Sequence, residues 1–156
     1  MKHTYFIEKT IELAYENIQK GGGPFAAIVV NEQGEIVGVG QNSVTLHNDP
    51  TAHAEVQAIR EACQTLSSFQ LTNCTLYSSC EPCPMCLGAI YWARPKDVYF
   101  AATKHDAAQV GFDDSFIYEE IEKTQEKRSI PFYKWETKIA TKPFDTWACT
   151  TTKIDY

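Results

Sequence analysis

Two short segments hold residue types that together can bind a metal ion and move protons. The first is His53-Ala54-Glu55, and the second, later in the chain, is Pro82-Cys83-Pro84-Met85-Cys86. One imidazole and two thiolates leave the fourth position of a tetrahedral zinc site open, and a water there loses a proton near neutral pH. The pattern therefore predicts one catalytic Zn2+ per chain, with His53, Cys83 and Cys86 as its ligands.

Glu55 separates a catalytic site from a structural one. A carboxylate beside the activated water can take its proton, pass it to a substrate ring nitrogen and later help to protonate the leaving amine. The alternative is a closed structural site in an interaction domain, with Cys80 as the fourth ligand three residues before Cys83. We expect Cys80 to point away, because it ends a predicted strand and Pro82 follows it.

The ligand spacing requires two helix N-termini. Cys83 and Cys86 share one side of a helical turn, and Pro82 and Pro84 suit the entry to a helix, where amides need no intrahelical acceptor. The partial positive charge of that end favours thiolates. His53 and Glu55 do not share a helix face, so both can serve one site only off the N-terminal end of their helix, near Pro50. We therefore expect two helix N-termini to converge on the metal.

The rest of the pattern predicts a three-layer α/β/α sandwich with a mixed, mostly five-stranded sheet. Asp49-Pro50-Thr51 is expected to cap the helix that follows it. The strand, helix, strand, helix, strand order implies parallel pairing with right-handed crossovers after an initial hairpin. Strands are predicted at 26–30, 36–40, 74–78, 97–101 and 132–139, the last a polar edge strand, and helices at 6–18, 52–66, 85–92, 115–121 and 144–148.

Composition limits the function classes. A chain of 156 residues, 44% of them apolar, predicts a single domain with a substantial core, spanning 1–156. The net charge of −6 argues against a nucleic-acid partner, because such binding usually needs a basic surface. No signal-peptide pattern or apolar run of membrane-spanning length is present. Six cysteines are too few for a disulfide scaffold and indicate a reducing compartment. We expect a cytoplasmic protein without a membrane partner.

Longer strings around the two segments resemble the cytidine deaminase-like superfamily. Asp49 to Glu55 and Cys80 to Ile90 are similar to its purine-acting branch, which holds bacterial guanine deaminases and tRNA adenosine deaminases. Tyr91-Trp92-Ala93-Arg94-Pro95, the segment Gly111 to Tyr118 and the final Tyr156 are similar to the guanine deaminase family. The resemblance implies a cytidine deaminase-like fold and hydrolysis of guanine to xanthine and ammonia. tRNA adenosine or a related free heterocycle is the alternative substrate.

The resemblance also implies further site residues. Asp114 would be a second proton shuttle near the departing amine, although alone it would be read as a helix N-cap. Phe25 would stack on the substrate ring, Asn42 would hydrogen-bond its edge and Ala54 would contact it. From the sequence alone, Phe25 is equally a core phenylalanine and Asn42 a turn asparagine. The family's Pro-Phe-Gly-Ala has alanine in place of glycine here, at Ala26.

A homodimer is the last implication of the resemblance. In the family, a C-terminal segment, here about 140–156, crosses to the partner subunit, and its last tyrosine covers the other active site. Tyr156 would do so in this chain. Without the resemblance, a terminal tyrosine is read as a frayed end.

Overall fold

The computed structural model describes residues 2–156, which divide into two compact units. The first unit ends at Asp114 and the second is Ser115–Tyr156. The elements of the first are α1 (Lys2–Gln19), β1 (Ala26–Val30), β2 (Ile36–Gln41), α2 (Val44–His47), α3 (Ala54–Leu66), β3 (Thr75–Cys80), α4 (Pro84–Ala93), β4 (Asp97–Ala102) and α5 (Lys104–Gln109). Those of the second are α6 (Ser115–Glu122), a 3-10 turn (Gln125–Lys127) and α7 (Lys142–Cys149).

The sheet is mixed and has the strand order β2-β1-β3-β4. β1 pairs antiparallel with both β2 and β3, and β3 pairs parallel with β4. The predicted hairpin is therefore confirmed, but parallel pairing holds only for β3 and β4, because β1 lies between β2 and β3. The reason lies in the side chains: all five residues of β1 are buried, whereas β2 is partly exposed and takes the edge.

Alternate residues of β1 face different helices. Ala27 and Val29 join an apolar cluster with residues of α3 and α4. Ile28 and Val30 join a second cluster with Phe6 of α1. Because successive strand side chains point to opposite faces, α1 lies on one face of the sheet and α3 with α4 on the other.

Two glycines of β2 let α3 lie directly on the strand. A Cβ at Gly40 would lie 1.9 Å from the Ala54 carbonyl oxygen, and one at Gly38 would lie 2.3 Å from the Ala58 carbonyl oxygen. Any side chain at either position would push the helix away. Gly40 thus places the first turn of α3, which carries Glu55, against the sheet.

The prediction of a fifth strand is wrong for the residues that the structure describes. The sheet there has four strands, and 132–139 forms neither strand nor helix. Every side chain in that segment is exposed, so no apolar face holds it in an extended pairing. A polar alternation alone does not stabilise an edge strand.

The helices follow the apolar periodicity more closely. α1, α4, α6 and α7 lie within a few residues of their predicted ranges. The short helices α2 and α5 were not predicted. Among the helices of residues 2–156, none has both the length and the apolar character needed to cross a bilayer.

Candidate active site

The start of α3 places His53 at the end of the helix instead of on its side. Asp49 does not cap the helix as expected: its Oδ1 accepts hydrogen bonds from the backbone N–H and the hydroxyl of Thr51 at 2.8 and 2.7 Å. Because the Asp49 carboxylate binds Thr51, it does not cap the helix, which begins at Ala54 with His53 as the N-cap residue. The imidazole therefore projects beyond the first turn.

The start of α4 supplies both thiols as predicted. Cys83 is the N-cap residue, Pro84 occupies the first turn, and Cys86 follows within that turn. His53 Nδ1 lies 3.5 Å from the Sγ atoms of both cysteines. The two helix N-termini thus converge, as the spacing required.

The separations fit one zinc ion. With Zn–N bonds of about 2.0 Å and Zn–S bonds of about 2.3 Å, the nitrogen and sulfur ligands of a tetrahedral site lie about 3.5 Å apart. The observed 3.5 Å between His53 Nδ1 and each sulfur matches that edge. Across residues 2–156, His53, Cys83 and Cys86 are the only group of three or more potential ligands whose atoms all lie within 4.8 Å of one another. A three-ligand cluster leaves one tetrahedral position for water.

Hydrogen bonds link the three candidate ligand groups, and a bound cation would displace the protons that form them. Hydrogen bonding from Cys86, and then from His53, lowers the pKa of Cys83 to about 4 against the opposing effect of burial. The neighbouring Cys83 thiolate, and then burial and the charge of Glu55, raise the pKa of Cys86. The hydrogen bond with Cys83 raises the pKa of His53. Zinc binding would therefore displace the thiol proton of Cys86 and a proton on His53 Nδ1, because zinc binds thiolates and neutral imidazole.

Glu55 lies beside the ligand cluster without belonging to it. Its side chain is in the first turn of α3 and only 7% exposed. Oε1 accepts a hydrogen bond from the Ser78 hydroxyl at 3.3 Å, and Oε2 accepts one from the Cys86 thiol at 3.4 Å. Burial raises the pKa of Glu55. A buried carboxylate with a raised pKa is suited to accepting and returning a proton near neutral pH.

Cys80 is directed elsewhere, and the four-ligand alternative does not fit the structure. Its thiol donates to the Thr103 carbonyl at 3.6 Å. Burial, with the nearby charge of Glu55, raises its pKa to about 11, so it stays a neutral thiol. Zinc binds thiolates, and the metal-ligand cluster excludes this cysteine.

The residues expected at the substrate lie on three segments of the first unit. Phe25 is half-buried and packs against the α3 side of the sheet. Its ring meets the Phe112 ring edge-on, with 4.9 Å between the ring centroids. The Asn42 backbone N–H donates to the Phe25 carbonyl at 3.0 Å, which ties these two residues together. Ala54 is fully buried at the start of α3. Ala26 belongs to the opposite set of β1 side chains, since its neighbours Phe25 and Ala27 face α3, so its additional methyl lies on the α1 side.

Asp114 and Tyr156 belong to different units. Asp114 ends the first unit and is partly buried. Burial raises its pKa, and the nearby negative charge of Cys83 raises it further. Tyr156 ends the second unit and is exposed.

Asn17 is a buried polar residue that the sequence analysis missed. Its Nδ2 donates to the carbonyl oxygens of Gly23 and Asn42, both at 2.8 Å, and the residue is 2% exposed. A Cβ at Gly22 would lie 2.4 Å from the same nitrogen, so only glycine leaves room for it. Asn17 thus joins the loop before Phe25 to the segment that carries Asn42. The available signal was a polar residue on the apolar stripe of α1.

Comparison with known proteins assigns the family. The family described as "Cytidine and deoxycytidylate deaminase zinc-binding region" matches residues 1–102, which include both segments of the site. The chain therefore belongs to the zinc-binding cytidine and deoxycytidylate deaminase family.

Within that family, the chain is similar over its full length to one purine-acting enzyme. It is 55% identical over 157 residues to guanine deaminase of Bacillus subtilis (strain 168), covering 100% of both chains. An X-ray structure of guanine deaminase from Bacillus subtilis superposes with a TM-score of 0.97 at 55% identity, covering 100% of this chain and 99% of that one. A tRNA-specific adenosine deaminase of Buchnera aphidicola (subsp. Schizaphis graminum) is 40% identical over 105 residues, 67% of this chain and 69% of its own.

Proposed function

We propose that this protein is a zinc-dependent guanine deaminase, which hydrolyses guanine to xanthine and ammonia in purine salvage or catabolism. The observation that carries the proposal is the three-ligand cluster of His53, Cys83 and Cys86 with a buried carboxylate beside it. Full-length similarity to the guanine deaminase of Bacillus subtilis supports the choice of base. The net charge of −6 favours a free base over a tRNA.

The proposed site residues have two roles in the reaction, metal binding and proton transfer. His53, Cys83 and Cys86 hold Zn2+, which when bound lowers the pKa of a water and supplies a nucleophile near neutral pH. Glu55 would accept a proton from the attacking water through Oε2 and deliver it to a ring nitrogen. A C–O bond would form at the ring carbon that bears the amino group, and the C–N bond would break as the second proton of the water reaches the amino nitrogen, which leaves as ammonia. Asp114, whose pKa burial raises, is the second proton shuttle and assists the departing ammonia.

Three residues of the first unit orient the base. Phe25 stacks on the ring, and such contacts are worth about 1–3 kcal/mol per base. Asn42 hydrogen-bonds the edge of the base, since its side-chain amide can donate and accept at once. Ala54 lies against the base between His53 and Glu55. The tie between Phe25 and Asn42, and the two carbonyls held by Asn17, support a preformed pocket here.

A panel of substrates and one variant test the function. Ammonia release is measured with guanine, adenine, cytidine and a tRNA anticodon stem; release from guanine is expected, and release from the stem alone would make the protein a tRNA adenosine deaminase instead. Release from other aminopurines or pterins alone would assign a related heterocycle. Glu55→Gln is expected to retain one zinc per chain, measured by elemental analysis, while losing turnover. Unchanged turnover in that variant would contradict the role of Glu55.

We propose that the fold is a three-layer α/β/α sandwich forming a single deaminase domain over 1–156. The packing of α1 on one side of the sheet and of α3 and α4 on the other supports the layering. We also propose that the protein acts in the cytoplasm. All six cysteines are free, and thiolate ligands persist in a reducing compartment.

We propose further that the enzyme is a homodimer that exchanges residues 140–156, so that Tyr156 covers the partner's active site. Large apolar side chains of this segment are exposed in the single chain: Phe144 is 73% exposed and Trp147 43%. Such clustered exposure is typical of a surface that another protein covers.

Complementation between two inactive variants tests the exchange. Glu55→Gln and Tyr156→Ala subunits are co-expressed and the mixed dimer is isolated with two affinity tags. If Tyr156 acts on the partner's site, one of the two sites in the mixed dimer has both Glu55 and Tyr156, and activity returns to about half of the wild-type value. If the tyrosine acts on its own subunit, no site is complete and activity does not return.

A further inference from the structure

The Ser78–Glu55 hydrogen bond is a buried serine-to-carboxylate contact to which the proposed mechanism assigns no role. Ser78 belongs to β3 and is 2% exposed. Its Oγ donates to Glu55 Oε1 at 3.3 Å. Ser78 lies in the middle of the sheet, because it pairs with Ala27 of β1 on one side and with Phe100 of β4 on the other. The hydroxyl is therefore held by a rigid strand, whereas Glu55 belongs to the adjacent helix.

The two oxygens of Glu55 have different neighbours. Oε1 accepts from the sheet through Ser78, and Oε2 accepts from Cys86, one of the three clustered ligand groups. The carboxylate thus stands between a fixed hydroxyl on one side and the ligand cluster on the other. Rotation of the carboxylate would break both contacts.

The contact with Cys86 does not persist when zinc is bound. Zinc requires Cys86 as a thiolate, which has no proton to donate. Ser78 is then the side-chain donor that remains to Glu55 among the contacts of residues 2–156. A proton-transferring carboxylate needs such a partner, because misplacement by about 1 Å can cost about 100-fold in rate.

We propose that Ser78 is a positioning residue for Glu55: it holds Oε1 and thereby presents Oε2 to the reacting water. The proposal rests on the deaminase function given above. It assigns Ser78 no contact with the substrate or the metal. Loss of the Ser78 hydroxyl should therefore lower kcat while leaving KM and zinc affinity close to their wild-type values.

The adjacent serine provides a matched control. Ser79 is also buried on β3, but its Oγ accepts a hydrogen bond from the Ala26 N–H at 3.1 Å and has no contact with Glu55. Ser79→Ala removes a buried serine hydroxyl from the same strand. It reports how far a structural loss alone alters turnover.

The test compares Ser78→Ala, Ser78→Thr and Ser79→Ala in the zinc-loaded enzyme. Ser78→Ala is expected to lower kcat about tenfold, a fraction of the 10²- to 10⁴-fold that a proton-transferring group contributes. KM and the zinc affinity from chelator competition should change less than about threefold. Ser78→Thr keeps a hydroxyl and should recover most of kcat, and Ser79→Ala should keep kcat within about twofold.

A double-mutant cycle decides whether Ser78 acts through Glu55. In a Glu55→Gln background, Ser78→Ala is expected to have no further effect on the residual rate. An equal loss in both backgrounds, an unchanged kcat in Ser78→Ala, an equal loss in Ser79→Ala, or a large fall in zinc affinity would each overturn the proposal. If the wild-type protein does not use guanine, the proposed function fails, and the cycle is run on whichever base the panel shows to be turned over.

Discussion

Replacing Gly40 with alanine tests whether the close contact between β2 and α3 sets the geometry of the metal site. The alanine Cβ would lie 1.9 Å from the Ala54 carbonyl oxygen, whereas ordinary contacts begin at 3.4 Å. The first turn of α3 must therefore move by about 1.5 Å, the difference between these distances. Such overpacking costs about 1–3 kcal/mol of unfolding free energy. Gly40 has no left-handed backbone angle, so the penalty comes from space alone.

The displacement reaches the site because His53 and Glu55 flank Ala54. Zinc–ligand distances must hold to within about 0.2 Å, and comparable disturbances of metal sites lower affinity about 10- to 100-fold. We expect Gly40→Ala to weaken zinc binding by that factor, measured by chelator competition. With saturating zinc, kcat/KM for guanine should still fall about 100-fold, because Glu55, the proposed proton-transferring group, is misplaced.

Gly38→Ala is the matched control on the same strand. Its Cβ would lie 2.3 Å from the Ala58 carbonyl oxygen, so the local displacement is about 1.1 Å. That contact lies about 6 Å further from His53 along the helix axis than the Gly40 contact does, because Ala58 follows Ala54 by four residues. Unfolding by urea should show a similar loss of stability, while zinc affinity stays within about threefold. Equal losses of zinc affinity in the two variants, or no loss in Gly40→Ala, would refute the reasoning.

Two further predictions concern single contacts. Asn17→Ala leaves the carbonyls of Gly23 and Asn42 without their buried donor, which costs about 1–3 kcal/mol; steady-state kinetics should show KM for guanine rising more than kcat falls, and a loss confined to kcat would contradict this. Hydrogen bonds from Thr103 lower the pKa of Asp106, so this stabilisation is present above the ordinary aspartate pKa and is lost as the pH falls through the lowered folded value. The difference in urea midpoint between wild type and Asp106→Ala should therefore be present at pH 7 and shrink on acidification, whereas a difference independent of pH would be inconsistent with it.

The metal site was predictable because its information is local. The spacing of Cys83 and Cys86 and the separation of His53 from Glu55 by a single residue each restrict the site to the end of a helix. The structure brings these two ends together with His53 Nδ1 3.5 Å from both sulfurs. The clustering of these three candidate ligands therefore follows from residue types and short-range geometry.

The supporting contacts were not predictable because they join distant residues. Asn17 reaches Asn42 and Ser78 reaches Glu55 only after the sheet and helices have packed. Nothing in the local pattern distinguishes Ser78 from its neighbour Ser79. The two glycines of β2 did carry a signal, because alternate glycines in a strand indicate the close approach of another backbone.

The start of α3 and the predicted fifth strand failed for opposite reasons. Asp49 has the chemistry of a helix cap, but it forms a tighter turn with Thr51 first, and the helix begins later. The segment 132–139 has the alternation of a strand but no buried face. The helix start was therefore displaced by a competing local turn, whereas the strand lacked a tertiary partner.

Because the side chains of β1 alternate between the two faces of the sheet, substitutions on each face have different consequences. Substitutions on the side of Phe25 alter the wall of the proposed pocket, whereas those at Ile28 and Val30 alter the packing against α1. A library that seeks deamination of other bases should therefore vary residue 25 and leave 28 and 30 fixed to preserve stability.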